Sequence, residues 1–378
     1  MRIAVAAMTL QTAQDFTKAG VARYTASIVE AFVGLADSRH EFHLFLLPTL
    51  EVPEYWRTAP HVRIHRTWKR YNKWNLAMGG LAARRWGIDF WFSTAHTVPY
   101  FSAVKKGLMI HDLFPLRYPE MFPEDQLGFY RTMIPRSCRV SDALFANSED
   151  TKRDIVTMFG IDPSKIVVTP LGPGNVIERR DPRTVTDAEL EAAGVDPPGR
   201  YLLTLSTLEP RKNLAGLVRA LDILRADPEF ADVRLMVAGG KGWKYQEVFD
   251  LVEDLGMTQA VRFLGYVPDA ALPVLFARCA AYVCPSITEG FGMPVLEAML
   301  AGAPVVASNG GAIPEVAGDL ARYFDPLSPP DMARAISEEL ASTDRAERVE
   351  RGLERARQFT WRRCAELTLE GIERAVAG

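Results

Sequence analysis

Cysteine is scarce in this 378-residue chain: there are four, Cys138, Cys279, Cys284 and Cys364. They are scattered, lack the spacing of a metal site, and read as small buried hydrophobes of a reducing compartment. Long apolar runs are missing too, since no window reaches the roughly 18 uninterrupted apolar residues of a membrane span. The opening Met1–Met8 leads straight into a strand pattern, without the charged region and apolar stretch of an export signal. A cytoplasmic location is therefore expected. No G-x-G-x-x-G follows an early strand, which disfavours a nicotinamide dehydrogenase. No Asp-x-Asp tract offers oxygen ligands to a divalent metal, so no metal and no cofactor are expected. The formal net charge of −3 gives no global reason to expect nucleic acid.

What is present describes a soluble globular protein, with 48% hydrophobic and 24% charged residues. The length suits two domains better than one. Short runs rich in Val, Leu and Ile alternate with helical periods, which implies parallel sheets covered on both faces by helices. In the first half, strands are expected near Arg2–Met8, Glu41–Leu47, Val62–Arg66, Asp89–Ser93, Gly107–His111, Ala143–Ala146 and Ile166–Thr169. A second series runs Tyr201–Ser206, Val233–Ala238, Val261–Leu264, Ala280–Cys284, Pro304–Ala307 and Ala321–Phe324. Between them, from Gly174 to Arg200, lies a polar stretch with few apolar residues, expected to be linker and hinge. The expected division is an N-terminal domain over 1–175, a C-terminal domain over 176–358, and a closing helix over 359–378. That helix either caps the second domain or returns to the first. The fold class is α/β, two doubly wound Rossmann-like domains facing a central cleft, with ligands at the carboxyl ends of the strands.

The most informative segment is Ser286-Ile287-Thr288-Glu289-Gly290-Phe291-Gly292-Met293-Pro294-Val295-Leu296-Glu297. It reads as a strand end, a glycine-bracketed turn, and a helix opened by Pro294 where no donor is needed. Free N–H groups at such a helix start suit a diphosphate. Glu289 and Glu297 could both face one ligand and accept sugar hydroxyls, or could merely complement the helix dipole. Glu209-Pro210-Arg211-Lys212-Asn213 puts two cations where a strand meets a helix start, an unfavourable place unless an anion is near. A solvated basic turn is the plainer alternative. His111-Asp112 ends a first-domain strand, and Ala19-Gly20 precedes a helix. The turns Gly239-Gly240-Lys241-Gly242 and Asn309-Gly310-Gly311-Ala312 suggest a ligand crossing the second sheet's edge.

On these residues the chain resembles the GT-B glycosyltransferases of family 4, which retain anomeric configuration. Glu289 and Glu297 match the family's E-x7-E motif, and the resemblance extends through Pro304-Val305-Val306-Ala307, Gly311–Val316 and Phe359-Thr360-Trp361. It implies metal-independent transfer of a hexose from a nucleotide diphosphate sugar, a co-substrate in place of a cofactor. Glu289 would hold donor-sugar hydroxyls, Glu297 the ribose, and Arg211 and Lys212 the diphosphate. His111 would stand beside the sugar. Gly20, Gly240, Gly290, Phe291 and Gly292 would border the donor, and the base would be read by backbone near Val267. The chain departs from the family at Ser206-Thr207, where many members carry Gly-Arg, which leaves Arg211 less secure than Lys212. It also has a single Gly20 where paired glycines are common. The Glu-Pro-Arg-Lys-Asn form resembles mannosyl- and rhamnosyltransferases of bacterial surface polysaccharide assembly, so GDP-mannose is the expected donor. A saccharide or polyprenyl-linked saccharide is the expected acceptor. A nucleotide-sugar epimerase of the same fold, or a non-catalytic nucleotide-sugar-binding module, is the competing reading.

Tyr55 to Ile88 contains no Asp or Glu but eight cations, Arg57, Arg63, Arg66, Lys69, Arg70, Lys73, Arg84 and Arg85. Trp56, Trp68, Tyr71, Trp74 and Trp86 are interleaved with them. This composition fits either a surface resting on anionic lipid at the inner face of the cytoplasmic membrane, or a solvated basic face over buried tryptophans.

Overall fold

A computed structural model describes the chain apart from residues 11–19, 36–38, 69–70, 175–176 and 197–198, and apart from the side chains of residues 71–73. The chain divides into two compact units, one formed by Met1–Gly172 with Phe359–Gly378 and the other by Pro173–Gln358. The division expected at 175/176 falls outside the described residues.

The first unit is built on β1 (Arg2–Ala6), β2 (Glu41–Leu46), β3 (Val62–Arg66), β4 (Phe90–Ser93), β5 (Lys105–Ile110), β6 (Ala143–Ala146) and β7 (Ile166–Val168). All pairings are parallel, in the order β3-β2-β1-β4-β5-β6-β7. The central strands are buried on both faces, β4 reading Phe-Trp-Phe-Ser without an exposed position, as a sheet sandwiched by helices requires. Helix Val21–Gly34 turns Tyr24, Ile28, Val29 and Phe32 inward, one apolar stripe at helical spacing. Helix Glu149–Phe159 begins where the Ser148 hydroxyl accepts the Thr151 N–H and ends at Gly160, whose φ of 65° only glycine adopts cheaply.

The terminal helix Trp361–Ala377 belongs to this unit. Thr360 caps it, and Cys364 and Ile372 are fully buried. Gly371 lets it lie close on the sheet, since a Cβ there would meet the Phe145 ring at 2.7 Å and Val167 at 2.9 Å.

The second unit carries β8 (Tyr201–Leu205), β9 (Arg234–Ala238), β10 (Val261–Gly265), β11 (Ala281–Cys284), β12 (Val305–Ser308) and β13 (Arg322–Phe324). The order is β10-β9-β8-β11-β12-β13, again wholly parallel. Strand order reverses between β8 and β11, so the loops after these two strands leave in opposite directions and open a crevice at the carboxyl edge.

The polar stretch expected to be a linker is instead part of this unit. Thr186 and Glu189 form a reciprocal capping box that starts helix Asp187–Ala192. Val185, Leu190 and Val195 are buried, and Arg179 and Arg180 pair with Glu350 and Glu189. Three buried aliphatic side chains, each worth about 1.5–3 kcal/mol, are enough to hold a segment that composition alone marks as loose.

Candidate active site

In the second unit, all the residues singled out from sequence follow the carboxyl ends of strands on one sheet edge. Glu209–Asn213 follows β8, Gly240 follows β9, Val267 follows β10, and Ser286–Gly292 follows β11. The two sides of the strand-order reversal therefore supply the charged residues.

Glu289 is the centre of this edge. The residue is 8% exposed, and its carboxylate accepts from Lys212 Nζ at 2.5 Å, from Arg211 Nη1 at 2.7 Å and from the Ser286 hydroxyl at 2.6 Å. Burial pushes the Glu289 carboxyl up, but Lys212 and Arg211 more than offset it and hold it down at about 2. The anion that the strand–helix cations require is thus the protein's own. Arg211 also donates from Nε to Glu209 Oε1 at 3.0 Å. Glu209 is nearly buried, and burial raises its carboxyl despite Arg211 and Lys212.

The backbone fixes this cluster from three directions. Ile287 N–H donates to the Arg211 carbonyl at 2.9 Å, and Arg211 Nη1 reaches back to Thr288 O at 3.2 Å. From the far side, Ala312 N–H donates to Glu289 O at 2.9 Å. A Cβ on Gly311, whose φ is 62°, would lie 2.4 Å from that same oxygen. Gly310 and Gly311 are therefore required by close packing on the Glu289 loop, independent of any ligand crossing the edge.

Asn213, part of the charged patch in the sequence but given no role there, anchors the cationic turn. It adopts φ 50°, between the short helical turn Pro210–Lys212 and helix Leu214–Arg225. Its amide donates to Pro285 O at 3.2 Å and Pro326 O at 2.7 Å, tying the turn to the ends of β11 and β13. The only sequence hint is an Asn where a left-handed residue must sit.

Helix Met293–Ala301 starts at Gly292, with φ 94°, and has proline in its first turn as expected. Glu297 lies on its buried face at 2% exposure and accepts the Gly174 N–H at 3.0 Å. Phe291 and Gly292 are buried, Gly290 and Val267 half-buried, and Gly240 exposed.

In the first unit, His111 follows β5 and is held from several sides. Its Nε2 lies 2.9 Å from the Thr94 carbonyl, Tyr24 meets the ring edge-on at 4.7 Å, and Asn147 donates to its carbonyl at 2.8 Å. Burial lowers its pKa, partly offset by the Thr94 carbonyl and Asp112. A carbonyl can only accept, so Nε2 carries the proton of the neutral ring and Nδ1 is the acceptor. His96, also missed from sequence, follows β4 at a strained φ of 63°. Burial, then the neighbouring His111, lowers its pKa to about 4. Gly20 is exposed at φ 77°, and its carbonyl accepts the Tyr24 N–H at 3.0 Å at the start of helix Val21–Gly34. Ala19 lies outside the described residues.

The acid-free stretch does not form one uniform surface. Trp56 and Trp74 are core residues, at 0% and 6% exposure. Arg63 pairs with Glu41, and Arg66 donates to the Leu47 and Leu50 carbonyls. Lys69 and Arg70, and the side chains of Tyr71 and Lys73, lie outside the described residues. Tyr55, Trp68 and Trp86 remain at 52%, 59% and 40% exposure, with Leu81 at 62%. Arg57, Arg84 and Arg85 are exposed as well, and the Arg85 guanidinium lies 5.4 Å from the Trp86 ring centre.

Among the described residues, no three His, Cys, Asp or Glu side chains are grouped to hold a metal ion, and the four cysteines are buried and unpaired. Among the described residues, no helix is long and apolar enough to cross a membrane.

Two family profiles match the chain, Glycosyltransferase Family 4 over residues 19–172 and Glycosyl transferases group 1 over residues 186–357. The O-antigen chain mannosyltransferase B of Escherichia coli is 33% identical over 264 residues, covering 70% of this chain and 68% of that protein. The Serotype-specific mannosyltransferase WbdA of Escherichia coli is 29% identical over 286 residues, covering 74% of this chain but only 34% of its own length. Among solved structures, Anabaena Alr3699/HepE in complex with UDP and glucose superposes with a TM-score of 0.69 at 18% identity, covering 98% of this chain and 99% of that one.

Proposed function

We propose, from the premise that this chain belongs to the glycosyltransferases of family 4, that it moves a mannosyl group from GDP-mannose to a saccharide or polyprenyl-linked saccharide. The observation that carries this is Glu289, buried and bridging Arg211 and Lys212 at the strand-order reversal of the second sheet. A glycosyl donor leaves behind a nucleoside diphosphate, so charge builds on the departing oxygen. Two cations held in place by their own hydrogen bonds stabilise that charge without having to reorganise. Glu289 then offers its oxygens to sugar hydroxyls, and Glu297 meets the ribose. Configuration is retained, as the resemblance to the family implies. The leaving phosphate helps to take the acceptor's proton, and no metal is required, because Arg211 and Lys212 supply the positive charge.

Mannose is favoured because the relatives above are mannosyltransferases. Alr3699/HepE, by contrast, is described with UDP and glucose, so the base and sugar have to be measured. A thermal-shift panel of GDP- and UDP-sugars gives the donor, since saturation at 100 times the dissociation constant raises stability by about 2.7 kcal/mol. Transfer from GDP-mannose to a polyprenyl-linked saccharide then separates a transferase from an epimerase or a silent binding module. Preferential binding and turnover of a UDP-sugar would overturn the donor assignment.

The exposed Tyr55, Trp68, Leu81 and Trp86 with Arg57, Arg84 and Arg85 support a finer reading, docking on anionic lipid that presents the acceptor. Each cation near such a surface adds about 1 kcal/mol. Vesicle co-sedimentation tests this. Binding that is the same with and without anionic lipid would leave a soluble acceptor.

A further inference from the structure

The donor edge of the second unit is already charge-balanced. Arg211 and Lys212 supply two positive charges, and Glu209 and Glu289 supply two negative ones, all with side chains at most 15% exposed. A sugar nucleotide brings a diphosphate diester with two further negative charges. Placed against Arg211 and Lys212, it leaves the cluster with two uncompensated negative charges among nearly buried side chains, which is costly.

We propose that binding of a nucleotide sugar draws one proton from solvent onto Glu209, so that this carboxylate couples donor affinity to pH. The inference rests on the donor reading given above. The step is protonation alone: an O–H bond forms on the Glu209 carboxyl, and the proton comes from buffer.

Glu209 and not Glu289 takes the proton because their surroundings differ. Glu289 is met by an ammonium, a guanidinium and a hydroxyl, all of which stabilise the charged form. Glu209 is met through one oxygen by Arg211, from Nε and Nη2 at 3.0 Å. Lys212 and Glu289 are its other charged neighbours. On the turn after β9, Gly242 backs the Glu209 side chain, since a Cβ at that position would lie 3.5 Å from the Glu209 Cβ. Lys241 of this turn points its ammonium over the Tyr245 and Phe249 rings, at 4.9 and 5.6 Å, and Lys244 is the turn's other cation. Burial already raises the Glu209 carboxyl, and a diphosphate sharing Arg211 raises it further.

The sign follows. Binding that takes up a proton weakens as pH rises through the window between the unbound and bound pKa values of Glu209, by at most about tenfold per pH unit for one proton. The test is titration calorimetry with GDP-mannose, and in parallel UDP-glucose, in two buffers of different ionisation enthalpy at pH 6, 7 and 8. Neither diester gains or loses a proton in that range. Wild type is expected to take up as much as one proton per donor bound, with affinity falling as pH rises. Glu209→Gln should bind without uptake and with affinity independent of pH. Binding of either donor to wild type with no uptake at any of the three pH values overturns the inference, whether or not the variant folds, and so does uptake that persists in Glu209→Gln. If neither donor binds wild type, the donor reading itself falls and takes this inference with it.

Discussion

Lys212 and Glu289, 77 positions apart in sequence, meet at 2.5 Å between Nζ and Oε1. The pair joins the turns after β8 and β11, so each residue both positions and neutralises the other. Lys212→Ala is expected to lower the transfer rate about 100–1000-fold, the scale for one preorganised contact to developing charge. Glu289→Gln keeps the shape but removes the negative charge that Lys212 and Arg211 share, and should lower the rate comparably by misplacing the donor sugar. Glu297→Ala should chiefly raise the donor's KM. Steady-state kinetics separates the three, and Lys212→Ala activity within about threefold of wild type would contradict the expected loss.

Asn213 acts on the same cations from behind. Asn213→Gly keeps the left-handed backbone but loses the two amide bonds to Pro285 and Pro326, at about 1 kcal/mol each. Asn213→Ala loses the same bonds and adds roughly 1–2 kcal/mol of left-handed strain. Urea unfolding should therefore rank wild type above Asn213→Gly above Asn213→Ala. Equal stability of the two variants would show that the turn relaxes out of φ 50°.

The central strands were legible because each is a short apolar run between turn signals, rich in Val, Leu and Ile. The edge strands β3 and β10, with Arg and His among their residues and partly exposed positions, were legible from their place in the alternation. The charged turns were legible because cations at a helix start and a glycine-bracketed acid are unusual enough to stand out. What stayed hidden depends on distant partners. Nothing local says that Glu289 pairs with Arg211 and Lys212, or that the Asn213 amide reaches two proline carbonyls. The segment around Thr186 was misread for a different reason: Thr186 and Glu189 carry the spacing of a capping box, but sparse apolar residues outweighed that cue. In the Tyr55–Ile88 stretch, composition could not separate Trp56 and Trp74, which are core, from Trp68 and Trp86, which are exposed.

Gly311→Ala tests whether the Glu289 loop must be held where it is. The new methyl would lie 2.4 Å from Glu289 O and 2.6 Å from Thr288 Oγ1, at a φ of 62°. The loop has to move, and Glu289 moves with it. Activity should fall at least about tenfold, as displacements of this size do in active sites, while far-ultraviolet circular dichroism stays native. Full activity would mean that Glu289 tolerates displacement, and would weaken its assignment.

The two units should respond to acid with opposite sign. All six histidines, His40, His43, His61, His65, His96 and His111, lie in the first unit. Burial lowers the pKa of His40, His43 and His111, and lowers His65 and His96 to about 4. Such a group is neutral in the folded protein down to its lowered pKa, while the unfolded chain takes up its proton near pH 6.5. Folding stability is therefore complete above about pH 6.5 and is lost progressively as pH falls toward about 4. The second unit has no histidine, and burial raises the carboxyls of Glu209 and Glu339, so these two groups favour its folded form as pH falls through their raised values. Below the ordinary carboxylate range, the carboxylates held low, Glu189 and Glu289 at about 2 among them, oppose further acidification. Tryptophan fluorescence distinguishes the two, because Trp56, Trp68, Trp74, Trp86, Trp91 and Trp361 lie in the first unit and Trp243 alone in the second. The fluorescence-detected melting temperature should fall steadily from pH 7 to pH 5, and His96→Asn should reduce that slope by removing one of the protons bound on unfolding. A fluorescence melting temperature that is flat across this range would mean that the histidines titrate normally in the fold, and that His96 and His111 are not held neutral beside each other.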